Sequence, residues 1–115
     1  VEVKSENLKR VQEGFYAVMH MSGGYGRGYA DDRMDAAGKT GTSQSFIDTN
    51  NDGIIDTETI TTSFIGYAPY NNPKVAFMVT SPNASHANSA NNFTSLVNYR
   101  LTRAITDKYY DMYGI

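Results

Sequence analysis

Apolar residues recur at helical spacing through Leu8, Val11, Phe15, Val18 and Met19, which predicts an amphipathic helix that opens at Ser5. Ser5 is expected to cap it, with Glu6 in the first turn against the positive end of the helix dipole. Ser22-Gly23-Gly24 is expected to stop it through a left-handed glycine. Met34 to Ile47 reads as an extended stretch, followed by a polar loop from Asp48 to Asp56. Thr59 to Ala68 is rich in β-branched and aromatic residues and reads as a strand. Pro69-Tyr70-Asn71-Asn72-Pro73 is a turn signal, and Lys74 to Ser81 a mostly buried strand that Pro82-Asn83 should end. A small-residue linker from Ala84 to Asn91 leads to a second helical pattern, carried by Phe93, Leu96, Val97, Leu101, Ala104, Ile105 and Met112. Helix, three strands with short connections, then helix predicts an α+β fold: a three-stranded antiparallel sheet flanked by N- and C-terminal helices.

Composition narrows the function. With 115 residues the chain holds at most one small domain. Twelve acids against ten Lys and Arg give a net charge of -2, without the basic excess that a nucleic-acid binder needs. No apolar run is long enough to span a bilayer. The absence of Cys excludes disulfides, zinc thiolate sites and thiol catalysis. Val1-Glu2-Val3-Lys4 lacks both an initiator Met and a signal-type apolar stretch, and is read as the start of a processed or excised piece.

Several polar groupings carry candidate chemistry. Gly24-Tyr25-Gly26-Arg27-Gly28 has the composition of a phosphate loop but precedes a strand instead of opening a helix, which argues against nucleotide binding. Asp48-Thr49-Asn50-Asn51-Asp52-Gly53-Ile54-Ile55-Asp56 fits the first nine positions of a calcium loop. Asp48, Asn50, Asp52 and Asp56 would be its ligands, holding a structural Ca2+ that rigidifies the hairpin. Thr59 stands where the closing Glu belongs, and no entering helix precedes the loop. The alternative is a hairpin loop that uses Asn, Asp and Gly for turn geometry. His20 and His86 read as surface residues, and Tyr109, Tyr110 and Tyr113 as packing against the sheet.

The most informative stretch is Ala37-Gly38-Lys39-Thr40-Gly41-Thr42-Ser43-Gln44. A cation, two hydroxyls and a glycine on one strand form a plausible cradle for an extended ligand with a carboxylate. K-T-G is also one of the signatures of the penicillin-recognising serine enzymes. Around it, Val11 to Met19 resembles the helix before that motif, and Gly28-Tyr29-Ala30 the approach to the strand. Ser63-Phe64-Ile65-Gly66-Tyr67-Ala68-Pro69 and Asn72-Pro73-Lys74-Val75-Ala76 resemble the next hairpin. In order and spacing, nearly the whole chain resembles the C-terminal part of a class B penicillin-binding protein transpeptidase domain.

The resemblance implies a piece of a peptidoglycan DD-transpeptidase, spanning residues 1–115, that crosslinks stem peptides ending in D-Ala-D-Ala and is acylated by β-lactam antibiotics. Lys39 would supply positive potential and join the proton network, and the backbone N–H of Thr42 would be one oxyanion donor. Thr40, Gly41, Thr42, Ser43 and Gln44 would complete the substrate-binding edge, with Gly41 letting the acyl chain lie along the strand. The other partners implied are the N-terminal remainder of the same protein and the cell-wall synthesis machinery, outside the cytoplasmic membrane. No cofactor is required.

One departure limits this chain. No serine is followed by lysine three residues later, so the S-x-x-K nucleophile is missing. Ser5-Glu6-Asn7 formally matches S-x-N, but it opens a helix and lies too close to Lys39 for the family order. The chain alone is therefore expected to be inactive, and to self-associate through an unpartnered Lys74 to Ser81 strand. A β-lactamase or β-lactam sensor of the same superfamily is the alternative. A non-catalytic calcium-binding interaction module is the alternative from another class.

Overall fold

The computed structural model describes residues 2–86 and 93–115. Helix α1 (Ser5–His20) is followed by strands β1 (Ala37–Ile47), β2 (Thr57–Ala68) and β3 (Val75–His86), then helix α2 (Phe93–Tyr113). The strands form one antiparallel sheet in the order β1-β2-β3. Helix α1 packs against β1, and α2 lies over β2 and β3. This is the α+β arrangement that the patterning predicts.

The ends of α1 differ from expectation. Lys4 is its N-cap and makes no side-chain capping bond, so Ser5 is already helical. At the other end Met21 is extended, and the left-handed Gly23 lies two residues further on. The glycines instead fold the loop back on the helix: Gly26 donates its N–H to the Val18 carbonyl at 3.0 Å. A β-carbon on Gly24 would collide with that same carbonyl, so only glycine fits there.

The extended stretch is shorter at its start than the pattern suggests. Residues Asp32–Met34 form a 3₁₀ turn and Asp35 is left-handed, so β1 begins at Ala37. Strand β3 runs longer than expected, through Pro82-Asn83 to His86. The sheet absorbs the proline in a bulge, where the register with β2 shifts between Ile60 and Thr62. Asn83 takes a positive φ and accepts the Thr59 hydroxyl on its Oδ1 at 2.8 Å. Proline is tolerated because β3 is an edge. The linker expected after Asn83 falls partly within this strand, and its remainder lies outside the described residues.

Phe64 on β2 is fully buried, stacked on Tyr29 at 4.4 Å between ring centroids. Met19, Ala30, Met34, Ala36 and Ala68 surround it, with Val75, Phe77, Tyr109 and Tyr110 packed against the cluster. Leu8 and Val11, at the start of the predicted apolar face of α1, remain exposed.

Helix α2 is turned opposite to what its apolar pattern suggests. Among its described side chains Asn98, Thr102 and Thr106 are fully buried, while Leu96, Val97, Leu101, Ile105 and Met112 are exposed. The small polar stripe allows close approach to the sheet; Asn98 and Thr106 are hydrogen-bonded, while the buried Thr102 hydroxyl has no partner among the described residues. The Thr106 hydroxyl accepts the Asp31 N–H at 3.0 Å and donates to the Thr102 carbonyl at 2.8 Å. Of the C-terminal tyrosines, Tyr109 and Tyr110 pack on the core as expected, whereas Tyr113 is exposed and contacts Tyr109.

Asp31 ties the loop before β1 together. Its buried carboxylate forms a two-point ion pair with Arg33, whose guanidinium also lies 4.2 Å from the Tyr110 ring centroid. Hydrogen bonds from Arg33 hold the Asp31 carboxyl at about 2. Unfolded aspartate titrates near ~3.9, so the stability from this pair is complete above that value and disappears as the pH falls through the folded value. Asp31→Asn should cost about 1–3 kcal/mol near neutral pH. In urea titrations the gap between variant and parent should narrow towards pH 2. A constant gap would exclude the linkage.

Among the described residues no strand covers the outer edge of β3, and Met78 on that strand is 67% exposed. The isolated chain should therefore sediment as more than a monomer at high concentration, and Met78→Lys should shift it towards monomer. A monomeric parent chain under the same conditions would contradict this.

Candidate active site

The register of the sheet assembles the site. Thr42 on β1 lies opposite Thr62 on β2, Gly41 opposite Ser63, and Thr40 opposite Phe64. Strand geometry puts Thr40 and Thr42 on one face, and Lys39, Gly41 and Ser43 on the other. The face with Thr40 and Thr42 is the one that buries Phe64. At this edge lies a cleft of about 400 Å³, walled by Thr40, Gly41 and Thr42 of β1, Thr62 and Ser63 of β2, and Asn98 of α2. Tyr25 and Tyr29 from the glycine-rich loop complete it. Among the described residues no lining side chain is charged, and hydroxyl groups dominate the strand walls.

The residues expected to bind substrate are thus only partly brought together. Thr40, Gly41 and Thr42 share the cleft. Lys39 is exposed on the opposite face, and its ammonium donates to the Thr40 carbonyl at 2.8 Å. Ser43 and Gln44 lie further along the exposed edge; the Gln44 amide donates to Glu58 Oε1 at 2.6 Å. Gly41 has a local reason to lack a side chain, because a β-carbon there would approach Ser63 Oγ to 2.7 Å.

The inner wall was not legible in the sequence. Asn98 is 1% exposed; its Nδ2 donates to Thr62 Oγ1 at 2.9 Å, and its Oδ1 accepts the Ser81 hydroxyl at 2.6 Å. A signal existed: Asn98, Thr102 and Thr106 form a polar stripe with a four-residue repeat inside an otherwise apolar pattern. Two further formal S-x-N matches are present, Ser89-Ala90-Asn91, outside the described residues, and Ser81-Pro82-Asn83. The latter belongs to the bulged part of β3, with β2 between it and the motif strand.

In the hairpin loop the Asp48 carboxylate accepts the N–H groups of Gly53 at 2.7 Å, Asn50 at 3.2 Å and Asp52 at 3.3 Å. Asp56 accepts the hydroxyls of Thr49 at 2.6 Å and Thr57 at 2.7 Å. The loop's own donors therefore serve two of the four expected metal ligands, Asp48 and Asp56. Asn50 Nδ2 donates to Asp52 at 3.0 Å. Among the described residues no group of three or more His, Cys, Asp or Glu is placed to hold a metal ion. His20 has a structural partner as well, the Ala36 carbonyl at 2.8 Å, and stacks on Tyr16.

The Gly53 N–H, foremost among the backbone donors, lowers the Asp48 pKa below its usual range, and the Thr49 hydroxyl does the same for Asp56. Order in the loop is accordingly present above the usual aspartate range and is lost as the pH falls below it. The amide resonance of Gly53 should titrate with a midpoint under ~3.9, and Asp48→Ala should abolish that titration. A midpoint at the ordinary value would refute the contact.

Sequence comparison agrees with this architecture. Residues 1–107 match the penicillin binding protein transpeptidase domain. The chain is 33% identical over 112 residues to penicillin-binding protein 2A of Bacillus subtilis (strain 168), covering 97% of this chain and 15% of that protein. It superposes on penicillin-binding protein 2B from Streptococcus pneumoniae (strain R6) with a TM-score of 0.68 and 26% identity. That match covers all of this chain and 17% of the other. The chain belongs to the penicillin-binding protein transpeptidase domain family. It spans about one sixth of the length of these relatives. No helix among the described residues is long and apolar enough to cross a membrane.

Proposed function

We propose that this chain is the C-terminal part of a peptidoglycan DD-transpeptidase domain, and that its motif strand binds the carboxylate end of a D-Ala-D-Ala stem peptide or a β-lactam. The observation that carries this reading is the cleft at the open edge of β1, where Thr40, Gly41 and Thr42 form one wall. A polar, uncharged, hydroxyl-lined cleft beside a lysine-bearing strand suits an extended ligand with one carboxylate. Thr40 and Thr42 provide its hydroxyl donors.

The chemistry requires a nucleophile from outside these 115 residues, because the chain has no S-x-x-K. In the full protein a serine oxygen forms an ester bond to the donor carbonyl. The carbonyl–nitrogen bond then breaks, and the leaving amine takes the serine proton through the lysine network. Lys39 contributes positive potential to that network. In a β-strand a residue's N–H and carbonyl point the same way. Thr42 can therefore offer its N–H to the developing oxyanion and its carbonyl to the substrate amide. The acceptor amine of a second stem peptide resolves the ester. Such a protein works at the extracytoplasmic face of the membrane, with the remainder of its own chain and the cell-wall synthesis machinery as partners.

Fluorescent penicillin tests the reading. The full-length protein that carries this chain should be labelled, and the 115-residue chain alone should not. Lys39→Ala in the full-length protein should slow labelling by roughly 10²-fold or more. Labelling of the short chain, or an unlabelled full-length protein, would overturn the assignment.

A further inference from the structure

We infer that Asn98 on α2 is a positioning residue for carboxylate recognition, acting by orienting the Thr62 hydroxyl as a donor in the cleft. The inference rests on the carboxylate reading of the cleft given above. Thr62 is 4% exposed and stands directly opposite Thr42, on the same sheet face. Among the described residues the cleft holds no lysine or arginine, so hydroxyl and amide protons supply its complement to an anion. A hydroxyl can serve as donor or acceptor, and what decides for Thr62 is its neighbour.

Asn98 makes that decision. Its Oδ1 accepts the Ser81 hydroxyl, and its amide nitrogen faces Thr62. Thr62 Oγ1 receives the amide proton, so its own proton is left for another acceptor. Buried and held from two strands, the side chain cannot swing out of this position without losing both bonds. Helix α2 therefore communicates with the motif strand through one side chain: Asn98 sets Thr62, and Thr62 stands beside Thr42. Burial of polar rather than apolar residues on the inner face of α2 gains a functional reason from this.

The test uses the full-length protein and compares acylation by benzylpenicillin with acylation by its methyl ester, which lacks the charge. Asn98→Ala should reduce the preference for the free acid roughly tenfold, the loss of one oriented donor to a charged group. Thr62→Val should give a similar reduction, and the double variant should add little to either. Asn98→Asp should reduce the preference further, because a carboxylate there accepts the Thr62 proton and adds a negative charge beside the bound one. Met78→Lys, on the exposed outer strand β3 and away from the cleft lining, should leave the preference unchanged. Should Asn98→Ala fail to fold, Thr62→Val carries the test alone, since it keeps the shape of the strand. A wild-type protein that prefers the free acid, with variants that keep the preference, would overturn this inference alone. A wild-type protein indifferent to the charge would overturn the reading of the cleft as well.

Discussion

The pairing register of β1 on β2 is the constraint on which the rest depends. Phe64 is wholly buried between Tyr29 and the residues around Phe77, and Thr40 lies directly opposite it. A slip of one residue would send Phe64 to the other face and exchange every side chain across the sheet. The same burial that holds the core therefore decides that Thr40, Thr42 and Thr62 meet in one cleft while Lys39 stands on the opposite face. Fold stability and site geometry are one property here.

Helix α2 follows from that register. The sheet presents Thr62 and Ser81 to it, so the matching helix face carries Asn98 and the small threonines Thr102 and Thr106. Each hydrogen-bonded polar contact avoids the cost of burying an unpaired group. The loop before β1 is locked to the same helix through Asp31, which offers its N–H to Thr106 and its carboxylate to Arg33. Tyr29, a few residues earlier in the chain, is thereby carried onto Phe64 and into the wall of the cleft.

Local signals read well where the physics is local. The order of elements, the antiparallel sheet and the turn at Pro69 to Pro73 were legible, because periodicity and proline act over a few residues. Failures occurred where tertiary context outweighed local preference. Pro82 did not end β3, since an edge strand with a bulge tolerates a residue without an N–H. Ser5 did not cap α1, and no glycine closed it. The acidic hairpin is not one of these failures: its spacing is that of a cation loop, and Asp48 and Asp56 accept the loop's own N–H and hydroxyl groups. Those bonds depend on how the loop folds.

By itself the sequence determined the element types, the K-T-G strand and the family, because each is written in contiguous residues. Only the tertiary structure decided which side of that strand is a cleft, which face of α2 turns inward, and that Asn98 belongs to the site. The reason is geometric. Strand parity and helix rotation are settled by contacts between residues tens of positions apart, such as Thr62 with Asn98, and periodicity alone does not say which face meets which partner.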